Sequence, residues 1–440
     1  MRGKPITLLV RLITLLMVII LPFTSGVSTA GCDVSEFDID GLKVILKKVD
    51  SEVTAVSLFF KGGVRNIDPS NQGIEPLLFG TAKRGSENYP MDLLHSELAR
   101  MGTSIFVIPK MDFTIVSLRC LSRYFDESWD IFTDVLLHPA LDEKGVELAR
   151  QELIARVRRQ KDLPDSHVRM VAWDLFYRDH PYALKPQGTE SSLLSISTAD
   201  LKEYHKNQVI LSRLLLVVVG KVDQSDIEDK VVNSFGKLPR GEYRPKLLPE
   251  VKGNRMPGLK VVDRDIPTNY ICGVYSAPGL KEKEYYPMQI AINILSNRLF
   301  EEVRTKRGLV YQVYTSLDKV SSNDGILCLT TQEPSAAMEV IFLEVGRLRN
   351  ELVEAKVLQD TIAISINDYY LSKGSVSTQA SMLGRYELNG SGWEDYLRIE
   401  DKMKAVTPED IMEVAREYLE NINFGFLGDP GKIDRELFLF

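Results

Sequence analysis

Val53-Thr54-Ala55-Val56-Ser57-Leu58-Phe59-Phe60-Lys61-Gly62-Gly63 is an apolar, β-branched and aromatic run that stops at two glycines, and Gly73-Ile74-Glu75-Pro76-Leu77-Leu78-Phe79-Gly80-Thr81 follows it. The first stretch reads as a strand and the second as a helix. The same order returns later: a strand from Asn269 to Tyr275, a stop at Pro278-Gly279, and a helix from Tyr286 to Phe300. Glu97-Leu98-Ala99-Arg100-Met101-Gly102 and Glu302-Val303-Arg304-Thr305-Lys306-Arg307-Gly308 each end a helix at glycine and lead into a pair of strands, with Cys120 and Cys328 at similar places in the second strand of each pair. Ser197-Thr198-Ala199-Asp200 and Thr407-Pro408-Glu409-Asp410 are capping boxes, one before the apolar strand Leu211 to Val219 and the other before Phe424 to Leu427. A shared order at matching places implies duplication. The Pro, Gly and charge-rich stretch from Lys237 to Pro257 is a linker. The expected fold is therefore α/β (α+β), in two tandem homologous domains at about 35–240 and 255–440, each a largely antiparallel sheet covered by helices.

Length and composition agree with two globular domains, since the chain has 440 residues, 44% hydrophobic and 26% charged. Its formal charge is -7, and loss of Arg2, Lys4 and Arg11 with the N-terminal segment would take it to -10, which argues against nucleic acid as a partner. Residues 1–30 have the basic start, the apolar run Leu12 to Phe23 and the small residues Ser28-Thr29-Ala30 of a signal peptide, so the protein is expected to be exported, to the periplasm or to the outer side of the inner membrane. Three endings are open: cleavage after Ala30, lipidation of Cys32 in the degenerate box Thr29-Ala30-Gly31-Cys32, and an uncleaved anchor. The membrane is expected as a partner only through that lipid or anchor. Cys120, Cys272 and Cys328 are far apart inside apolar runs and read as buried core thiols rather than a disulfide framework. His95, His138, His167, His180 and His205 are too scattered to share one helical turn, so no metal is expected in this chain.

Several motifs in this order carry a resemblance: Lys61-Gly62-Gly63-Val64-Arg65 after the first strand, His180-Pro181-Tyr182 with Gly188, Gly384-Arg385-Tyr386, and above all Leu299-Phe300-Glu301-Glu302-Val303-Arg304-Thr305-Lys306-Arg307-Gly308-Leu309-Val310-Tyr311. Over its whole mature length the chain resembles the pitrilysin/insulinase family of zinc peptidases. That family carries His-x-x-Glu-His on the first helix, where histidines at i and i+4 grip one Zn²⁺ and the glutamate polarises bound water. Here the three positions are Pro76, Phe79 and Gly80, none of which can bind zinc or move a proton. Glu152 stands at the family's third ligand, alone or paired with Arg156.

Arg304 and Tyr311 match the arginine and tyrosine that, in the family's catalytic pairs, face the zinc from the other side of a closed cavity. Both donate hydrogen bonds, as a peptide carbonyl and its oxyanion require. Thr103, Ser104, Ile105, Phe106 and Val107 lie on the counterpart of the substrate strand, to which a peptide adds through main-chain bonds. Phe106-Val107 replaces the family's Asn-Ala, whereas Asp112 and Thr114 match. The resemblance thus implies half of a clamshell chamber: the non-catalytic subunit of a heteromeric peptidase, with no cofactor of its own, zinc in a homologous partner subunit, and a peptide or unfolded polypeptide as substrate. The alternative is a proteolytically inactive peptide-binding or scaffold protein.

Overall fold

The computed structural model describes residues 34–249, 256–318, 321 and 323–438; the expected signal peptide, 1–30, and Cys32 lie outside the described residues. In the first half, β1 (Val34–Ile39), β2 (Leu42–Lys48), β3 (Val53–Lys61), β4 (Ser104–Pro109), β5 (Phe113–Leu121) and β6 (Leu214–Gly220) form a sheet in the order β1-β2-β6-β3-β5-β4. In the second, β7 (Gly258–Asp263), β8 (Asn269–Ser276), β9 (Val310–Leu317), β10 (Asp324–Thr331) and β11 (Asn423–Gly428) stand in the order β7-β11-β8-β10-β9. Without β1 the two orders are the same. Their senses match as well: β2 runs parallel to β6 and β7 parallel to β11, and every other neighbouring pair is antiparallel. Both sequence-predicted capping boxes form, at Ser197 with Asp200 and at Thr407 with Asp410. The strand expected from Leu211 starts at Leu214, because a short 3-10 turn occupies Leu211–Arg213.

Each strand residue faces one side of its sheet and the next faces the other. On β6, Leu214, Leu216 and Val218 join one core while Leu215, Val217 and Val219 join another. Burial on both faces is why this strand reads as an unbroken apolar run. The first face is covered by helices of its own half, among them Ile74–Ala82, Phe125–Leu137 and Glu143–Asp162. The second is covered by a helix of the other half, Val376–Asn389, lying on β3 and β6. The exchange is reciprocal: Pro164–Phe176 of the first half packs on β8 and β11 of the second sheet. Both sheets are covered by helices, as the sequence implied, and one face of each is covered from the other half. A glycine permits each crossing, since a Cβ on Gly384 would stand 2.1 Å from the Phe59 ring and one on Gly425 would stand 2.7 Å from the Val168 carbonyl oxygen.

Buried polar groups tie the two halves together. Asp112 Oδ1 accepts from Arg65 Nη1 at 3.0 Å and from the Tyr182 hydroxyl at 2.7 Å. Its Oδ2 accepts from the Ser321 backbone N–H at 2.8 Å and from Asn389 Nδ2 at 3.1 Å. One buried carboxylate thus holds donors from both halves. Tyr177 likewise donates to Asp324 Oδ1 at 2.9 Å across the interface.

A correction concerns the cysteines. Cys272 and Cys328 are directly opposed on β8 and β10, with Cα atoms 4.1 Å apart, and they form a disulfide; Cys120 is free and buried. Their spacing of 56 residues gave no hint of strand register.

Gly384→Ala is expected to force Val376–Asn389 away from Phe59 and to destabilise the protein by about 1–3 kcal/mol, as overpacking does. Urea unfolding is the check, and an unchanged midpoint would show that the crossing can relax. Burial, reinforced by Asp318, pushes Asp324 well above the usual carboxylate range despite the opposing bond from Tyr177. The folded state therefore keeps a proton that the unfolded state has already lost, so this group's contribution falls as pH rises from the ordinary carboxylate range through the raised value. Asp324→Asn should remove that fall, unfolding at higher urea than wild type at pH 8 and showing a smaller advantage at pH 4. An equal difference at both values would refute the assignment.

Candidate functional site

The helix Ile74–Ala82 starts at Gly73, whose φ of 86° is open to glycine, and Pro76 falls within its first turn, where a missing N–H costs no helical bond. Ile74, Leu77 and Leu78 are buried. Phe79 is buried too, its ring 4.4 Å from that of Phe60 on β3. Gly80 faces Ala149 on the packed helix Glu143–Asp162, at ordinary contact distance for a Cβ (3.9 Å). Glu152, further along that helix, is held between Arg84 Nη2 at 2.8 Å and Arg156 Nη2 at 3.1 Å. The four sequence-aligned positions therefore lie on two packed helices, but they present an apolar contact and an ion-paired carboxylate. Among the described residues no three His, Cys, Asp or Glu side chains gather so as to hold a metal ion. Of the histidines, His180 accepts from the Tyr182 N–H at Nδ1, and His205 Nε2 bonds the Leu136 carbonyl at 2.7 Å.

One charged group beside the motif escaped sequence reasoning. Glu75 is buried and ion-paired with Arg213, itself only 1% exposed, and it accepts from Thr114 and from the Tyr204 hydroxyl at 2.8 Å. The signal was present in the chain, since Glu75 has no polar neighbour to share a solvated face with, and Arg213 heads the most apolar strand. The buried Asp112, which joins the halves, gave no such sign.

Arg304 and Tyr311 are placed by two irregularities. The helix Tyr285–Leu299 runs on into a π-helical turn, Phe300–Thr305, which carries Arg304. Gly308, at φ 64°, closes the turn with its N–H on the Arg304 carbonyl at 3.0 Å. On β9, Gln312 pairs with Thr330 and Val310 with Thr331, so Tyr311 is the extra residue of a β-bulge. Tyr311 is 78% exposed. The neighbouring Glu302 is pulled down to about 2 by hydrogen bonds from Lys306 and Arg307. Arg304, by contrast, makes no ion pair among the described residues and only rests its guanidinium 5.0 Å from the Phe300 ring.

The strand β4 is an edge of the first sheet, paired only with β5. Of the five residues expected to bind substrate, Thr103 precedes the strand and bonds Ser128 at 2.8 Å, and Ile105 is buried. Ser104 and Val107 are half-buried. Phe106 is 44% exposed, under the guanidinium of Arg119. The β4 edge belongs to the first sheet and the Arg304/Tyr311 edge, at β9, to the second.

Residues 43–190 match the family described as Insulinase (Peptidase family M16), and residues 195–364 match Peptidase M16 inactive domain. The chain belongs to the M16 peptidase family. It is 21% identical over 405 residues to the Bacillus subtilis protein named "Uncharacterized zinc protease YmxG", covering 90% of this chain and 98% of that one. It is 25% identical over 258 residues to cytochrome b-c1 complex subunit 1 of Caenorhabditis elegans, covering 57% and 53%. A protease structure from Helicobacter pylori superimposes with a TM-score of 0.82 at 18% identity, covering 90% of this chain and 99% of that one, which establishes the fold.

The zinc that this family implies does not fit the residues present, because Phe79 belongs to the core and Glu152 is already neutralised by two guanidinium groups. Restoring the motif by Pro76→His, Phe79→Glu and Gly80→His should destabilise the protein by about 3 kcal/mol or more, since it deletes a buried aromatic contact and buries a carboxylate. It should still leave zinc below one per chain while Arg84 and Arg156 hold Glu152. Metal analysis with urea unfolding tests both points. A triple variant as stable as wild type and carrying one tight zinc would overturn the account.

Proposed function

We propose that this chain is the non-catalytic subunit of a heteromeric zinc metallopeptidase. In this reading it encloses a chamber with a zinc-bearing homologous subunit and supplies Arg304 and Tyr311 to bind a peptide and stabilise its oxyanion. The observation that carries the reading is the pair itself: a π-turn and a β-bulge hold two strong donors at the surface with no internal ion pair to satisfy them. Irregularities of this kind cost regular pairing and are over-represented beside functional sites, though also at sheet edges such as β9. The guanidinium offers several donors and the phenol one, which suits a carbonyl oxygen that gains negative charge. The open edge of β4 supplies main-chain groups to which an extended peptide can add as a further strand, with Phe106 beside it. This chain needs no cofactor in that role; zinc belongs to the partner. Export, with release after Ala30 or retention through Cys32 or an uncleaved anchor, is part of the same proposal.

The likeness to a cytochrome b-c1 subunit favours a second reading, in which the chain is a proteolytically inactive scaffold. The two readings part at Tyr311. In a complex co-purified with a zinc-bearing homologue, Tyr311→Phe is expected to lower turnover on the order of a hundredfold, about 3 kcal/mol, while assembly measured by size is unchanged. Wild-type turnover from that complex would leave the scaffold reading standing.

A further inference from the structure

A cleft of about 240 Å³ opens between the two halves beside Asp112. Its walls are the turn between β4 and β5, the helix Pro164–Phe176 and the helix Val376–Asn389, with Met111, Phe113 and Trp173 supplying apolar surface. Four cationic side chains line it. Lys185 is neutralised by Asp174. The other three, Lys110, Arg169 and Arg385, have no ion pair among the described residues. Arg169 spends one donor on the neutral hydroxyl of Tyr314 at 2.6 Å. The side chains of Lys110 and Arg385 make no hydrogen bond among the described residues. Asp112 is already engaged by four donors, which leaves Asp318 as the other acid of the lining.

Two further observations point to a missing acceptor. Arg385 Nε is sealed from water without a hydrogen-bond partner, and so is the hydroxyl of the buried Tyr285, which feels the charge of Arg385. Buried donors are rarely left in this state. Lys110 and Arg385 line the same cleft as like charges, and Asp318 is the acid there whose charge opposes that of Arg385 on Lys110. A chain of formal charge -7 thus gathers uncompensated positive charge in a cleft with an apolar wall.

We propose that this cleft binds an organic carboxylate attached to an apolar or aromatic group, and that its source is the C-terminal end of a peptide. Arg385 is suited to grip the carboxylate and Lys110 to neutralise it, while Met111, Phe113 and Trp173 take the side chain. A volume below the ~300–1,000 Å³ of pockets for drug-sized ligands suits one or two residues. The source, though not the anion chemistry, rests on the peptide-handling function proposed above.

Isothermal titration calorimetry on the purified chain alone tests the proposal, with no partner subunit and no turnover. N-acetylphenylalanine should bind at least tenfold more tightly than N-acetylphenylalaninamide, N-acetylglycine or inorganic phosphate. Lys110→Gln and Arg385→Gln should each weaken it at least tenfold, with folding checked by circular dichroism; Lys110 lies in an exposed turn and is the safer variant. A hexapeptide ending in phenylalanine should bind as tightly as the acid, and its C-terminal amide should not. No binding of the acid, equal binding of its amide or of phosphate, or indifference to both variants overturns the site. Binding of the acid but not of the hexapeptide overturns the peptide source and leaves a free aromatic acid. Normal turnover of a Tyr311→Phe complex would sink the proposed function while leaving the calorimetric result intact.

Discussion

Neither sheet can close its core with its own half. The face of the first sheet that carries Phe59 and Leu215 is roofed by Val376–Asn389, and the second sheet is roofed in turn by Pro164–Phe176. An uncovered apolar sheet face in water is unfavourable, so the burial that stabilises one half requires the other. The buried polar contacts follow from this arrangement. Asp112 and Asp324 are buried because the exchanged helices and their flanking loops close over them; Asp324 finds a donor, Tyr177, in the other half, and Asp112 takes donors from both. The glycines at the crossings, Gly384 and Gly425, have the same cause.

Against this frame, the first helix, where the family resemblance places the zinc motif, serves the packing of the first half. Its apolar face still meets β3, and Phe79 stacks on Phe60. The carboxylate across from it, Glu152, is compensated by Arg84 and Arg156. The apolar positions there are packed and the carboxylate is ion-paired. The surface around Arg304 and Tyr311 is the opposite case, because the neighbouring charges are paired and these two groups are held out by a π-turn and a bulge. In one protein, the helix at the motif positions packs regularly, whereas the surface that carries Arg304 and Tyr311 is irregular. That contrast is the physical basis for reading the second half as the working one.

The seam between the halves combines both behaviours. Where Asp112 collects its donors the charge is balanced and the region acts as a joint. A few residues away Lys110 and Arg385 are not balanced, and the same exchange of helices that builds the joint places them on one cleft. A low-dielectric seam magnifies both effects, strengthening satisfied pairs and penalising unsatisfied ones.

Much of this was legible in the chain. Repeated order of strand, glycine stop, helix and capping box determined the duplication, because such signals are local: a strand ends where glycine frees the backbone, and a helix starts where a side chain caps it. The positions Pro76, Phe79, Gly80, Arg304 and Tyr311 were singled out by the family resemblance, and side-chain chemistry then decides which of them can hold a metal or donate a hydrogen bond. Other features depended on contacts between residues far apart in the chain. Which helix roofs which sheet, the opposition of Cys272 and Cys328, the four donors on Asp112 and the meeting of Lys110 with Arg385 all arise from register and long-range packing. Periodicity tells a residue which face it occupies, but not what lies across that face, and only the tertiary structure decides that.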